Sequence, residues 1–128
     1  MGNYLFIALG SALGGVLRYF LSGVVAQRFG ESFPFGTLLV NISGSFLIGF
    51  IFTISGTEGR VLFSPTTRNF LMAGICGGYT TFSSFSLQTL SLARDGEWLY
   101  AGLNILASVA LCLVAVWLGH LLAQTLNR

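Results

Sequence analysis

A chain of 128 residues that is 54% hydrophobic and only 8% charged lacks the surface of a soluble domain, where roughly a quarter of residues carry charge. With a formal net charge of +2 it belongs to the membrane class, and neither a soluble module nor a nucleic-acid partner is expected. Four apolar segments follow one another, at about 3–26, 35–56, 70–93 and 98–124. Each meets the roughly 20 residues that a helix needs to cross ~30 Å of hydrocarbon. They are too long, and alternate too little, for barrel strands. The expected fold is all-α and integral to the membrane, one four-helix domain over residues 1–128. The first segment has no basic n-region and three more spans follow it, so a cleaved signal peptide is not expected.

In the first segment Gly10, Gly14, Arg18 and Ser22 share a face at spacings of four. Gly10 and Gly14 form a GxxxG pair suited to close helix approach. Arg18 is the one charge near the interior. It either snorkels to the interface or serves a function, and both favour an anion at the entrance. The second segment repeats the pattern with Thr37, Asn41 and Ser45. Asn41-Ile42-Ser43 matches a glycosylation acceptor, but its place in mid-span makes the match accidental.

The third segment holds the stretch GGYTTFSSFS at 77–86, with six hydroxyl side chains amid apolar surroundings. Gly77-Gly78 followed by two β-branched threonines is poor continuous helix, which predicts a break near mid-membrane. Such a break frees backbone carbonyls, tolerated only where they are buried in protein or line a cavity, and unwound carbonyls can hold a cation. Thr81, Ser84 and Gln88 fall together, with Phe82 and Phe85 on an adjoining strip. The edge of a phenyl ring is the positive part of its quadrupole, so these two rings can face an anion without a hydrogen bond. In the fourth segment Tyr100, Asn104 and Ser108 form another stripe. Cys76 and Cys112 match no metal or redox spacing and read as small packing residues, and the lone His120 reads as interfacial.

Any one polar stripe is ordinary cement between membrane helices. Four of them, with amides that are costly to bury alone, point to a wetted route for an ion. All four acids, Glu31, Glu58, Asp95 and Glu97, lie in loops. No carboxylate is therefore available as a proton relay, or to attract a cation, and hydroxyl and amide donors beside an arginine suit a small anion. No nucleophile–base pair or metal-ligand cluster points to an enzyme. Arg60, Arg68 and Arg128 fall on one side of the membrane, against Arg28 and Arg94 on the other, with Arg18 towards it. This balance barely specifies an orientation. It fits either a weak topology signal or a protein that inserts both ways and pairs antiparallel.

Three blocks resemble the Fluc (CrcB-type) fluoride channels: Gly14-Gly15-Val16-Leu17-Arg18-Tyr19, Gly36 to Asn41 with Gly44, and above all Gly74 to Ser86. The departures are small: Ser84 stands where threonine is usual and Tyr79 where leucine is common. The resemblance implies a fluoride-selective passive channel, multi-pass in a cell (inner or plasma) membrane, built as an antiparallel, dual-topology homodimer. It implies that Phe82 and Phe85 present their edges to fluoride and that Asn41 donates to the ion. Ser83, Ser84, Thr37, Tyr100, Asn104 and Ser108 would line the polar track, with Arg18 near an aqueous vestibule. The Gly77 and Thr80 carbonyls would hold a structural sodium ion at the dimer centre. A small dual-topology multidrug or metabolite exporter is the alternative, but it calls for a membrane carboxylate. A non-transporting assembly subunit, its stripes only helix contacts, is the other.

Overall fold

The computed structural model describes residues 1–128 as an all-helical protein. Helix α1 (Gly2–Phe29), α2 (Phe35–Ile54) and α6 (Trp98–Asn127) are each long and apolar enough to cross a bilayer. The remaining span is built from shorter pieces. Helix α3 (Pro65–Asn69) runs into a π-helical stretch (Phe70–Cys76) and then α4 (Gly77–Tyr79); after a break, α5 (Phe82–Arg94) completes the crossing. Ser64 caps α3, its hydroxyl accepting from Thr67 N–H at 3.1 Å, with Pro65 preset for the first helical position. Gly30 ends α1 in a left-handed turn with φ 83°, a conformation glycine adopts without steric cost.

Two side-chain contacts define the relative directions. Thr66 Oγ1 donates to Asn3 Oδ1 at 3.0 Å, so α1 and the broken span start at the same end. At that end, too, α2 and α6 stop: Arg60 N–H donates to Asn127 Oδ1 at 2.8 Å, and the Arg60 guanidinium donates to Leu126 O. Arg68 treats α2 in the same way, donating to Phe52 O and Ser55 Oγ while lying over the Phe52 ring. Both arginines thus meet carbonyls at helix C-termini, where the macrodipole favours a cation.

Small residues let the backbones approach. Gly10 and Gly14 of α1 face Gly74 and Gly78 of the broken span. A Cβ on Gly10 would lie 2.7 Å from Phe70 O, and one on Gly78 would lie 2.7 Å from Ser11 Cα. The expected GxxxG contact of the first span is therefore present, and Gly74-x-x-x-Gly78 answers it from the other side. The glycine pair is not itself the break. Gly77 and Gly78 are helical, and the chain becomes extended at Thr80 (ψ 158°) and Thr81 (φ −152°, ψ 113°). Packing against α1 explains Gly78 better than helix breaking does. Along the α2–α6 seam, side chains on Gly49 and Gly119 would strike Val116 O and Phe46 O. His120 donates to or accepts from Thr53 across this seam, Nδ1 to Oγ1 at 2.8 Å, and so holds two helices together.

The close approach has a measurable cost when broken. Gly14→Val should lower the unfolding free energy in detergent by about 3 kcal/mol, because overpacked backbone has nowhere to move. Gly23→Ala, whose added carbon meets nothing within 4 Å, should leave the melting temperature unchanged or raise it.

Candidate functional site

The site grows out of the interruption between α4 and α5. An unbroken helix would bring Thr81 N–H to Gly77 O and Ser84 N–H to Thr80 O. Neither bond forms. Thr81 N–H donates to Asn41 Oδ1 at 2.8 Å, and Asn41 Nδ2 returns a bond to Thr81 O at 3.0 Å. Ser84 N–H donates instead to Thr81 Oγ1 at 3.1 Å, making Thr81 the cap of α5. The Gly77 and Thr80 carbonyls are left without their helical donors. Cys76 O, by contrast, receives both Thr80 N–H and Thr80 Oγ1, and Gly78 O receives Arg18 Nε at 3.2 Å.

A cavity of about 400 Å³ opens beside the break, lined by Asn41, Ser45, Gly77, Thr80, Phe82, Phe85 and Ser108 among others. Gly44 makes room for it, because a Cβ there would strike the Thr80 side chain. Phe85 is 9% exposed and Phe82 77% exposed; their rings lie 5.3 Å apart and are tilted by 48°. Asn41 has two amide hydrogens. One is committed to Thr81 O, and the other is left for the cavity.

A second, more polar crevice of about 830 Å³ lies at the end carrying the 30–34 and 95–97 turns. Thr37, Gln88 and Tyr100 line it, together with Glu31, Asp95 and Glu97. Gln88 Oε1 is buried and has no hydrogen-bond partner, and an orphaned acceptor in a roomy polar crevice is a place for water. Helix α6 links the two spaces. Tyr100 faces the crevice and Ser108 the cavity. Between them Asn104, only 2% exposed, donates to Thr89 Oγ1 at 2.9 Å and accepts from Ser108 Oγ at 3.3 Å.

Of the residues expected from the sequence, Phe82, Phe85, Asn41, Ser108, Gly77 and Thr80 converge on the cavity. Thr37 and Tyr100 stand in the crevice, and Asn104 joins the two. Ser83 and Ser84 lie in the first turn of α5 and line neither space; Ser83 Oγ bonds Thr81 Oγ1 at 3.3 Å. Arg18 also lines neither, being turned inward to Gly78. Three participants escaped the sequence reading. Thr81 mattered there as one member of a stripe, yet its backbone anchors the break. Thr89 partners Asn104, and Tyr79 OH meets Ser43 Oγ at 2.7 Å. In the sequence Tyr79 stands out only as a departure from the usual leucine.

Comparison with known proteins bears on this arrangement. A family model described as CrcB-like protein, camphor resistance (CrcB), matches residues 5–120. The chain belongs to the CrcB family. A CrcB relative from Opitutus terrae, named a fluoride-specific ion channel, is 61% identical over 99% of this chain and 96% of its own length. Relatives of the same name from Paramagnetospirillum magneticum and Rhodospirillum rubrum are 57% and 56% identical, covering at least 98% of both chains. These CrcB relatives are named as channels and not as enzymes.

The reciprocal Asn41–Thr81 pair should be costly to remove in any CrcB chain that folds this way. Asn41→Ala leaves a backbone donor and acceptor unpaired in the interior. Thermal or denaturant unfolding in detergent should then show a loss of about 2–3 kcal/mol. A variant as stable as the parent would mean that water replaces the amide.

Proposed function

We propose that this CrcB protein is a passive, fluoride-selective channel of the inner or plasma membrane that lets cytoplasmic fluoride out of the cell. The observation that carries the reading is the Phe82–Phe85 pair, set against the Asn41 amide in a cavity bounded by hydroxyls. Three relatives more than half identical are named fluoride-specific ion channels, and this agrees with it. Fluoride is small and strongly hydrated, so its lost water must be replaced by close, preorganised donors. Asn41 supplies an amide hydrogen and the phenyl rings supply positive edges. A larger halide fits the same donors badly.

The ion then follows the α6 stripe. Ser108, Asn104 and Tyr100 lead from the cavity towards Thr37 and the crevice, while Ser83 and Ser84, outside both spaces, support the Thr81 cap of α5. Phe82, exposed on a single chain, suits an antiparallel partner whose own rings complete the constriction. The Gly77 and Thr80 carbonyls of both copies, lacking helical donors, fit a hard monovalent cation such as sodium. When bound, the cation supplies positive charge at the dimer centre. Arg18 adds a fixed positive charge behind the break. Hydrogen fluoride crosses bilayers in its neutral form and dissociates in a near-neutral cytoplasm. A negative interior potential then drives the anion outward, with about 2.3 kcal/mol per elementary charge for each 100 mV.

In liposomes loaded with fluoride, a fluoride electrode should record efflux from the purified protein, and chloride should leave far more slowly. Phe82→Ile or Phe85→Ile should cut the flux roughly tenfold, the equivalent of one lost ring-edge interaction. Equal rates for both halides, or indifference to both substitutions, would rule out the assigned pore. Exchanging sodium for N-methyl-D-glucamine should lower the melting temperature of the protein in detergent, as removal of a native-state ligand does. An unchanged melting curve would remove sodium from the reading.

A further inference from the structure

Arg18 comes from α1 and reaches a carbonyl sixty positions away, donating Nε–H to Gly78 O at 3.2 Å. The guanidinium folds back over Gly15, where a Cβ would come within 3.9 Å of Nη2. It is not among the residues that line the polar crevice. Gly78 stands in the last turn of α4, whose carbonyls carry the negative end of a helix dipole. The helical segment that ends there has already run from Pro65.

We propose that Arg18 is a positioning residue, the C-cap of the half-helix that ends at Tyr79. By taking Gly78 O it holds the last turn of α4 against α1, while Asn41 and Ser43 hold the next residues against α2. The break is gripped from both sides. Of the carbonyls near it, Cys76 O is satisfied by Thr80 and Gly78 O by Arg18, which leaves those of Gly77, Tyr79 and Thr80 without a helical donor. The choice of free carbonyl thus depends on which donor α1 offers. This deepens the channel reading, on which only its consequence for flux rests.

Side-chain chemistry separates positioning from the attraction of anions by charge. Glutamine carries its amide nitrogen at the position of arginine Nε, so Arg18→Gln keeps the donor and loses the charge. Arg18→Lys keeps the charge but has a methylene at that position. Only one glycine in the chain precedes a tyrosine, so labelling glycine with carbonyl 13C and tyrosine with 15N isolates the Gly78 carbonyl by NMR. In Arg18→Gln this signal should stay with that of the parent, and in Arg18→Lys it should move away. Fluoride efflux from liposomes should fall further in Arg18→Lys than in Arg18→Gln, by up to roughly tenfold, the equivalent of one neutral hydrogen bond to a backbone carbonyl. An unmoved Gly78 carbonyl in Arg18→Lys, or a displaced one in Arg18→Gln, overturns the assignment. So does the reverse order of flux, which would give Arg18 a purely electrostatic task. A parent protein that releases no fluoride overturns the channel reading, and the carbonyl comparison still decides the role of Arg18.

Discussion

Hydrocarbon offers no water to a stray backbone group, so a membrane helix can be interrupted only where side chains take over the hydrogen bonds it gives up. Asn41 does this for Thr81, accepting from its N–H and donating to its carbonyl as a paired strand would. The two extended residues between α4 and α5 exist on that condition. Thr81 contributes the other half by capping α5 with its own hydroxyl. Together they divert two amide donors, and the Gly77 and Thr80 carbonyls are among those left outside the helical pattern.

The surrounding packing serves that arrangement. Gly10 and Gly14 bring α1 within backbone contact of Gly74 and Gly78, close enough for Arg18 to reach Gly78 O. Gly44 leaves room on α2 for the Thr80 side chain. Tyr79, between them, bonds Ser43, whose hydroxyl already sits over the Leu39 and Val40 carbonyls. Gly44 apart, the small residues here bring backbones together and do not open space. They set the distance at which polar groups on three helices meet, and a methyl group at any of them would separate those groups.

The arginines show how one residue type takes on different work by position. Arg60 and Arg68 are held at the ends of α6 and α2, on carbonyls that would otherwise face the interface unpaired. Their place in the 57–69 loop is thus dictated by helix ends as much as by topology, and a count of loop arginines is a weak guide to orientation in so small a chain. At the opposite end three carboxylates line the crevice. The amide and hydroxyl groups deeper along α6, Asn104 and Ser108, carry no charge and bond to one another and to Thr89.

The number of spans, their approximate extents and the four polar stripes were legible from the amino-acid sequence. Hydrocarbon thickness and helical periodicity act along a single segment, so composition and spacing report them directly. The Gly74–Ser86 block likewise marked the break, and the GxxxG pair of α1 marked a contact. The tertiary structure decided what local preference could not. Within the Gly77–Thr81 run it put the break at the threonines, because Asn41, forty residues earlier, offers its amide there. It gave Arg18, which the sequence left open between the interface and the interior, Gly78 as its partner, and it assigned Asn104 to Thr89 and Ser108. Each outcome depends on a hydrogen-bond partner brought near only by the packing of helices, and a buried polar group goes to whichever partner is within reach.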